Sequence, residues 1–418
     1  MLKIIEGHHL YGMFTSTNFK RSTCQMKYVR SKSMHGFCLL VLSAGLLFSC
    51  SPQAAPTSPD DIISEEGYSI SNDESTLNAR LAVYDDTTLT IFAKQARKKK
   101  EMKLNLIATL DPPEIAGQPL SASHVTIKGN TAFVSYSTKG RKHQGGLELV
   151  DVSSTKKPKV ISQILLENID VTVAEVHSSN LVLGVAVDSE NMDGFSSPAA
   201  VQFIKLKGKK LDQTGSLIDL PSFNANDIFY ADNRVFVTSG STGGMLTVFD
   251  KDTVVIHQLP VENAKAVAMV NNMIVALEGT GTRLHLYEKN SMDFIRSIEV
   301  GCENFIGAKS EIAVQNDYVF VSGWHCGVRV IDVNNNAIVG QFSLPAGQHC
   351  NAVSVDGDLA FLANDDAGIT VLNVENDGSL SEEGTIQLAQ NTNYVAFKGN
   401  KLFVANGLNG ISIIEIKK

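Results

Sequence analysis

Apolar and polar positions alternate in short runs along most of the chain, and small turn-forming residues interrupt them at regular places. Residues Phe320 to Asp332 read "FVSGWHCGVRVID": an alternating run, a turn ending on Gly327, and a second run of branched residues. Alternation with a period of two predicts half-buried strands. A glycine at the end of the turn supplies the positive φ that a tight hairpin demands. The same frame recurs as "FLANDDAGITVLN" from Phe361 and "FVANGLNGISIIE" from Phe403, with Gly368 and Gly410 at the matching place. Looser copies start at Ala132, Leu181, Phe236 and Met273, and one more, "LAVYDDTTLTIFA", starts at Leu81.

Most copies have a strand-like run before them ("HVTIKG", "NAVSVDG", "NYVAFKG") and another after ("AIVGQFSL", "TIQLAQ"). Four strands every 40 to 45 residues or so is the period of a propeller blade. Residues 80–418 accommodate eight such units of about 42 residues. The expected fold is therefore an all-β propeller of eight four-stranded blades, with seven as the alternative count. The first copy lacks a leading strand and the last lacks a trailing one, which predicts that the amino-terminal segment completes the last blade and closes the ring. The phrases "LELVDV", "VRVIDV" and "ITVLNV" resemble the LVIVD repeat of bacterial and archaeal surface proteins. That resemblance implies a propeller over nearly all of the chain that follows the leader, and it specifies fold far more than activity.

The amino terminus reads as an address. From Met26, the expected true start, Lys27, Arg30 and Lys32 precede an apolar stretch from Phe37 to Phe48 that is too short to span a bilayer. The stretch ends on Leu47-Phe48-Ser49-Cys50, which resembles a bacterial lipobox. Residues 1–49 are thus expected to be an upstream extension and signal, and Cys50 the lipidated residue. Residues 50–79 would form a flexible tether, with a segment able to close the ring, and residues 80–418 the propeller. "SPQAAPTSPDD" from Ser51 has the Pro, Ser and Ala content of a linker. Ser51 after the Cys resembles the outer-membrane sorting signal of a Gram-negative cell envelope. The formal net charge is −8, and more negative once residues 1–49 are removed. Such a chain has no general attraction to nucleic acid or anionic lipid, so membrane attachment would come from the lipid.

In a four-stranded blade, the loop between the second and third strands and the loop leading into the innermost strand emerge on one face. Trp324, His325 and Cys326 lie in a loop of the first kind; Cys302, His349 and Cys350 lie in loops of the second kind. The sister turns carry Ala367 and Asn409 where this one has Cys326, so the turn itself does not need a thiol. In an exported protein the three Cys suggest a disulfide: Cys302 with Cys326, or Cys326 with Cys350. Alternatively His325, Cys326, His349 and Cys350 would hold copper or zinc. At the centre of the same face the innermost strands bring His124, Asn226, Asp227, Lys265, Asn351 and Asn393 toward the funnel. These either cap strand starts through side-chain to backbone bonds or offer oxygen ligands to calcium.

The basic run Lys94 to Lys103 is expected in a solvated loop on the opposite face. No P-loop, dinucleotide fingerprint, nucleophile elbow or zincin helix occurs. The expected role is a non-catalytic scaffold binding protein or ligand on its rim, with Trp324 as an aromatic contact. The rival is a propeller enzyme or metalloprotein using the funnel.

Overall fold

The three clearest turns form hairpins for a local reason. Gly327, Gly368 and Gly410 have φ of 73°, 78° and 65°. A Cβ at any of them would collide with the carbonyl oxygen of Phe342, Ile386 or Leu110, each on the neighbouring fourth strand. Glycine is thus required twice over, for conformation and for room.

A computed structural model describes residues 62–65, 67–92, 102–138, 140, 142–154, 156–388 and 391–417. These belong to one compact unit, Pro56–Lys418. The strands form seven antiparallel four-stranded blades. Blades 1 to 6 are contiguous, at residues 121–167, 169–219, 224–260, 264–299, 312–342 and 352–386. Blade 7 takes three strands from residues 394–417 and its fourth from Lys103–Leu110, which pairs with Ile411–Lys417. Each innermost strand packs on the next, and that of blade 7 packs on that of blade 1, so the ring is closed. Closure removes the ladder edges that an open stack would expose.

One register repeats through the core. The third residue of each second strand is Phe133, Val182, Phe236, Val275, Phe320, Phe361 or Phe403, and all seven are buried between blades. At the far end of the third strand, the acidic residue of the repeat closes the outer turn. Asp151, Asp250, Glu288 and Asp332 each accept backbone N–H groups from the residues two to four further on. These bonds hold the Asp332 and Glu288 carboxyls below the usual range, the Asn335 side-chain amide and the Ser291 N–H contributing most.

The count of eight blades is corrected to seven. Leu81–Leu89, read as the middle of a first blade, pairs instead with Lys103–Leu110 as an extra outer strand of blade 7. Ile91–Phe92 then adds to the outer strand of blade 6. Alternation alone does not distinguish an inner hairpin from an amphipathic edge. The distinguishing signs are the absent turn glycine and the exposure of Val83, Tyr84 and Phe92. Within the stretch expected as tether, Ile62–Glu65 pairs with Tyr68–Ser71, which lies along Lys159–Glu167 at the outer edge of blade 1. The signal segment, Met26, Cys50 and Ser51, and the basic run apart from Met102 and Lys103, lie outside the described residues.

The seam between blades 7 and 1 carries an ion pair with one buried partner. Glu148, fully buried on the third strand of blade 1, pairs with Arg80. It also accepts from the Tyr136 hydroxyl at 2.7 Å and from the Gln163 amide at 2.8 Å. Arg80 additionally donates to the Asp111 carbonyl, just past the closing strand. A single guanidinium thus ties the end of blade 7 to the interior of blade 1.

Candidate functional site: the funnel face

The innermost strands carry one recurrent polar position. In register it is held by Ser123, Thr172, Asn226, Lys265, Ser310, Asn351 and Asn393 in blades 1 to 7. In blades 1 to 4 a β-bulge places it, turning the side chain out of the pleat. Six of the seven are short donors that tie backbone together. Ser123 donates to the Val171 carbonyl at 3.3 Å, and Asn226 to Ala264 at 2.6 Å. Asn351 donates to Thr392 at 3.3 Å, and Asn393 to Ala122 at 3.0 Å. Thr172 reaches the Ala225 carbonyl in the same way, and Ser310 binds Ser322 within its own blade. The three asparagines expected at the funnel are therefore clips between blades, which is the side-chain to backbone role that Asn fills well.

In blades 1, 3 and 7 the next residue along the strand, His124, Asp227 or Tyr394, lines the central channel. There His124 sits against Tyr394, ring centroids 4.1 Å apart. Burial, helped by the charge of Lys309, pulls its pKa down to about 3, so the imidazole is neutral. Asp227 accepts from the Val267 and Ile228 N–H groups, both at 2.8 Å. Burial pushes Asp227 up to about 7, the backbone bonds opposing and the Glu175 charge adding to it. Glu175 is itself pushed up to about 7 by burial. Glu311 is also held well above the usual carboxylate range, by burial first and then by Asp227. Three carboxylates in one channel cannot all ionise cheaply.

Above this layer the funnel opens into a cavity of about 490 Å³ lined by Ser121, Ser137, Thr138, Asn224, Ser241 and Phe223 as well as by the strand residues already named. The 12-residue loop 300–311 that leads into blade 5 lies over one side of it. That loop is held down from blade 4: the Thr280 hydroxyl donates to the Glu303 carbonyl at 2.6 Å and accepts from the Phe305 N–H at 2.7 Å. Its far end crosses the mouth, the Lys309 ammonium donating to the Ser123 carbonyl at 3.1 Å.

A disulfide joins Cys302 at the root of this loop to Cys326, with Cα atoms 6.0 Å apart. Cys350 is a buried free thiol, its pKa pushed upward by burial. The rim turn is a compact aromatic cluster. Trp324 stacks on His349 with centroids 4.1 Å apart and planes within 6°. His325 lies 4.5 Å from His349 and 4.8 Å from Phe305. Trp324, expected at an exposed tip, is half-buried, because its backbone bridges to Cys350 as Asp365 bridges to Thr392 and Gly407 to Ala122. The turns of blades 5, 6 and 7 thus all lock onto the strand of the next blade. His325 is exposed, as is Ile306 on the adjoining loop.

The structure thus places Trp324, His325 and His349 together on the rim, and His124 and Asp227 together in the channel. It separates Cys350 from the disulfide. Among the described residues no group of three or more His, Cys, Asp or Glu is arranged to hold a metal ion. The cavity's hydroxyl groups and Glu175 and Glu311 were missed by sequence reading. Serines are common on loops, and the two glutamates stand out only once the strand register is known.

The family model of the LVIVD repeat matches residues 306–339, which cover the end of the leading loop and most of blade 5. No curated protein matches the chain. Among solved structures, the RRP9 WD40 repeats are similar at 11% identity and a TM-score of 0.56, covering 73% of this chain and 98% of that one. A chain of the mitotic checkpoint complex is similar at 10% identity and a TM-score of 0.53, covering 81% and 99%. U3-55K gives 11% identity and a TM-score of 0.54, covering 73% and 98%. At such identities the likeness is one of fold: the chain is a seven-bladed β-propeller, and its fifth blade matches the LVIVD repeat.

Proposed function

We propose that this chain is a lipid-anchored, extracytoplasmic propeller that serves as a binding scaffold, presenting its funnel face to a protein or ligand. The observation that carries this reading is the rim of blade 5. There a turn that its sister blades build from Asn, Asp, Gly and Leu instead displays Trp324 and His325, stacked with His349 and backed by a cross-linked loop. Preordered aromatic and imidazole groups contact a partner at little entropic cost. The similar chain of the mitotic checkpoint complex belongs to an assembly, which offers precedent for a propeller as a scaffold. A copper or zinc site at the same rim has less support, since Cys326 sulfur is committed to the disulfide and Cys350 is buried.

The anchor and the rim are tested separately. Cys50→Ser should abolish acylation by mass spectrometry and move the protein from the membrane to the soluble fraction; a variant that still pellets after a high-salt wash overturns the anchor. Trp324→Ala should reduce partner capture from envelope fractions by tenfold or more, and unchanged capture overturns the rim.

A further inference from the structure

Lys265 is the single exception to the ring of clips. At its position the other six blades carry Ser, Thr or Asn, and each of these donates to a backbone carbonyl. Lys265 is only 6% exposed, and it lines the funnel cavity. Among the described residues its ammonium has no hydrogen-bond or ion-pair partner. Its attraction to Glu311 acts from beyond contact distance and offsets only part of the cost of burial, which brings its pKa down to about 8. A buried cation without a contacting counter-charge is an unfavourable arrangement that a bound anion would relieve.

The rest of the cavity narrows the chemistry of that anion. Around Lys265 stand the hydroxyls of Ser121, Ser137, Thr138 and Ser241 and the amide of Asn224. The Thr138 hydroxyl is taken up by Asp170, the Lys142 carbonyl and the Gln144 N–H, but the three serine hydroxyls can donate to or accept from a ligand's own hydroxyls, as a phosphate or a simple carboxylate would not require. At the mouth Phe223 is 58% exposed and lines the cavity, offering a flat apolar face to the C–H side of a ring. The second carboxylate here, Asp170, already accepts the Thr138 N–H at 2.8 Å and the Thr138 hydroxyl at 3.0 Å. It also faces the His143 ring at 2.9 Å, so it has partners of its own. The volume suits one or two sugar rings.

We infer that the funnel cavity binds a small polyhydroxylated carboxylic acid of the uronic-acid class, with Lys265 as the carboxylate anchor and Phe223 stacking on the sugar ring. The inference deepens the scaffold reading, since it assigns a ligand class to the same face, but it uses the cavity rather than the Trp324 rim.

The test is calorimetric titration of the full chain with glucuronate, glucose and acetate. Glucuronate should bind at least tenfold more tightly than either glucose or acetate. Lys265→Asn is the informative variant, because Asn226, Asn351 and Asn393 show that Asn fits this position and clips the blades. It should melt no lower than the parent and lose glucuronate affinity by tenfold or more. Phe223→Ala should lose several-fold. The inference is overturned if glucuronate produces no binding heat at millimolar concentration, if acetate or glucose matches it, or if a folded Lys265→Asn protein binds it unchanged. Partner capture through Trp324 is measured independently, so failure of the titration leaves the rim standing and failure of capture leaves the cavity standing.

Discussion

The ring is fixed at two places by opposite means. Between blades 7 and 1, where distant parts of the chain meet, the closing strand Lys103–Leu110 and the pairing of Arg80 with the buried Glu148 provide the join. Between blades 4 and 5 the chain is continuous, yet a disulfide is added there. The difference shows what each device controls. At the seam only noncovalent cohesion opposes opening, so a loss there is a loss for the whole fold. At the loop both ends are already attached, so the cross-link sets the geometry of the rim.

The largest effect is expected at the seam. Glu148→Ala removes the acceptor shared by the half-buried Arg80 guanidinium, the buried Tyr136 hydroxyl and the Gln163 amide, which costs about 3–5 kcal/mol. Urea unfolding measures it. Replacing both partners, Arg80→Met with Glu148→Leu, should recover most of that loss, because a buried pair contributes little beyond an apolar pair of similar size. A Glu148→Ala protein within about 1 kcal/mol of the parent would mean that strand pairing alone holds the seam.

The disulfide should matter less to the fold and more to the loop. Removing it as Cys302→Ser with Cys326→Ser should lower stability by about 2–4 kcal/mol through a less constrained unfolded chain. Limited proteolysis should then cut within residues 300–311 well before the blades, whereas Glu148→Ala should expose the whole chain at once. Thiol counting on denatured, unreduced protein should find one reactive group among Cys302, Cys326 and Cys350. Three would remove the staple from the comparison.

The sequence made the blade legible but not the number of blades. Gly327, Gly368 and Gly410 recur because no other residue fits their φ and their contact with the next strand, so the hairpin is written in the residues themselves. The strand Leu81–Leu89 has the same alternation for a different reason, an edge with one face on blade 7, and only the missing turn glycine marks the distinction locally. The polar clips were half legible. Asn226, Asn351 and Asn393 drew attention as amides, while Ser123 and Thr172 did the same work unnoticed. That Lys265 breaks the series could be seen only after the bulges fixed the register. The channel carboxylates Glu175, Asp227 and Glu311 lie far apart in the chain, and only ring closure brings their charges together.

The last and smallest effect sets a channel carboxylate against the seam carboxylate. Glu148 has a guanidinium in contact, whereas Glu175 is eased only by Lys128, the Val176 N–H and Lys398, and burial dominates. Its pKa in the fold, about 7, lies above its unfolded value of 4.5. The folded state therefore holds the proton more tightly. The resulting stability is fully present below about pH 4.5 and is lost as pH rises through about 7. His124 acts in the opposite sense: its folded pKa of about 3 lies below 6.5, so its contribution is present above 6.5 and is lost as pH falls toward 3. Glu175→Gln keeps the shape and removes the charge. It should be more stable than the parent by roughly 1–3 kcal/mol at pH 8 and indistinguishable from it at pH 4. Denaturant unfolding across this range reads the difference directly, and a gain at pH 4 as large as that at pH 8 would show that packing, not the buried charge, separates the two proteins.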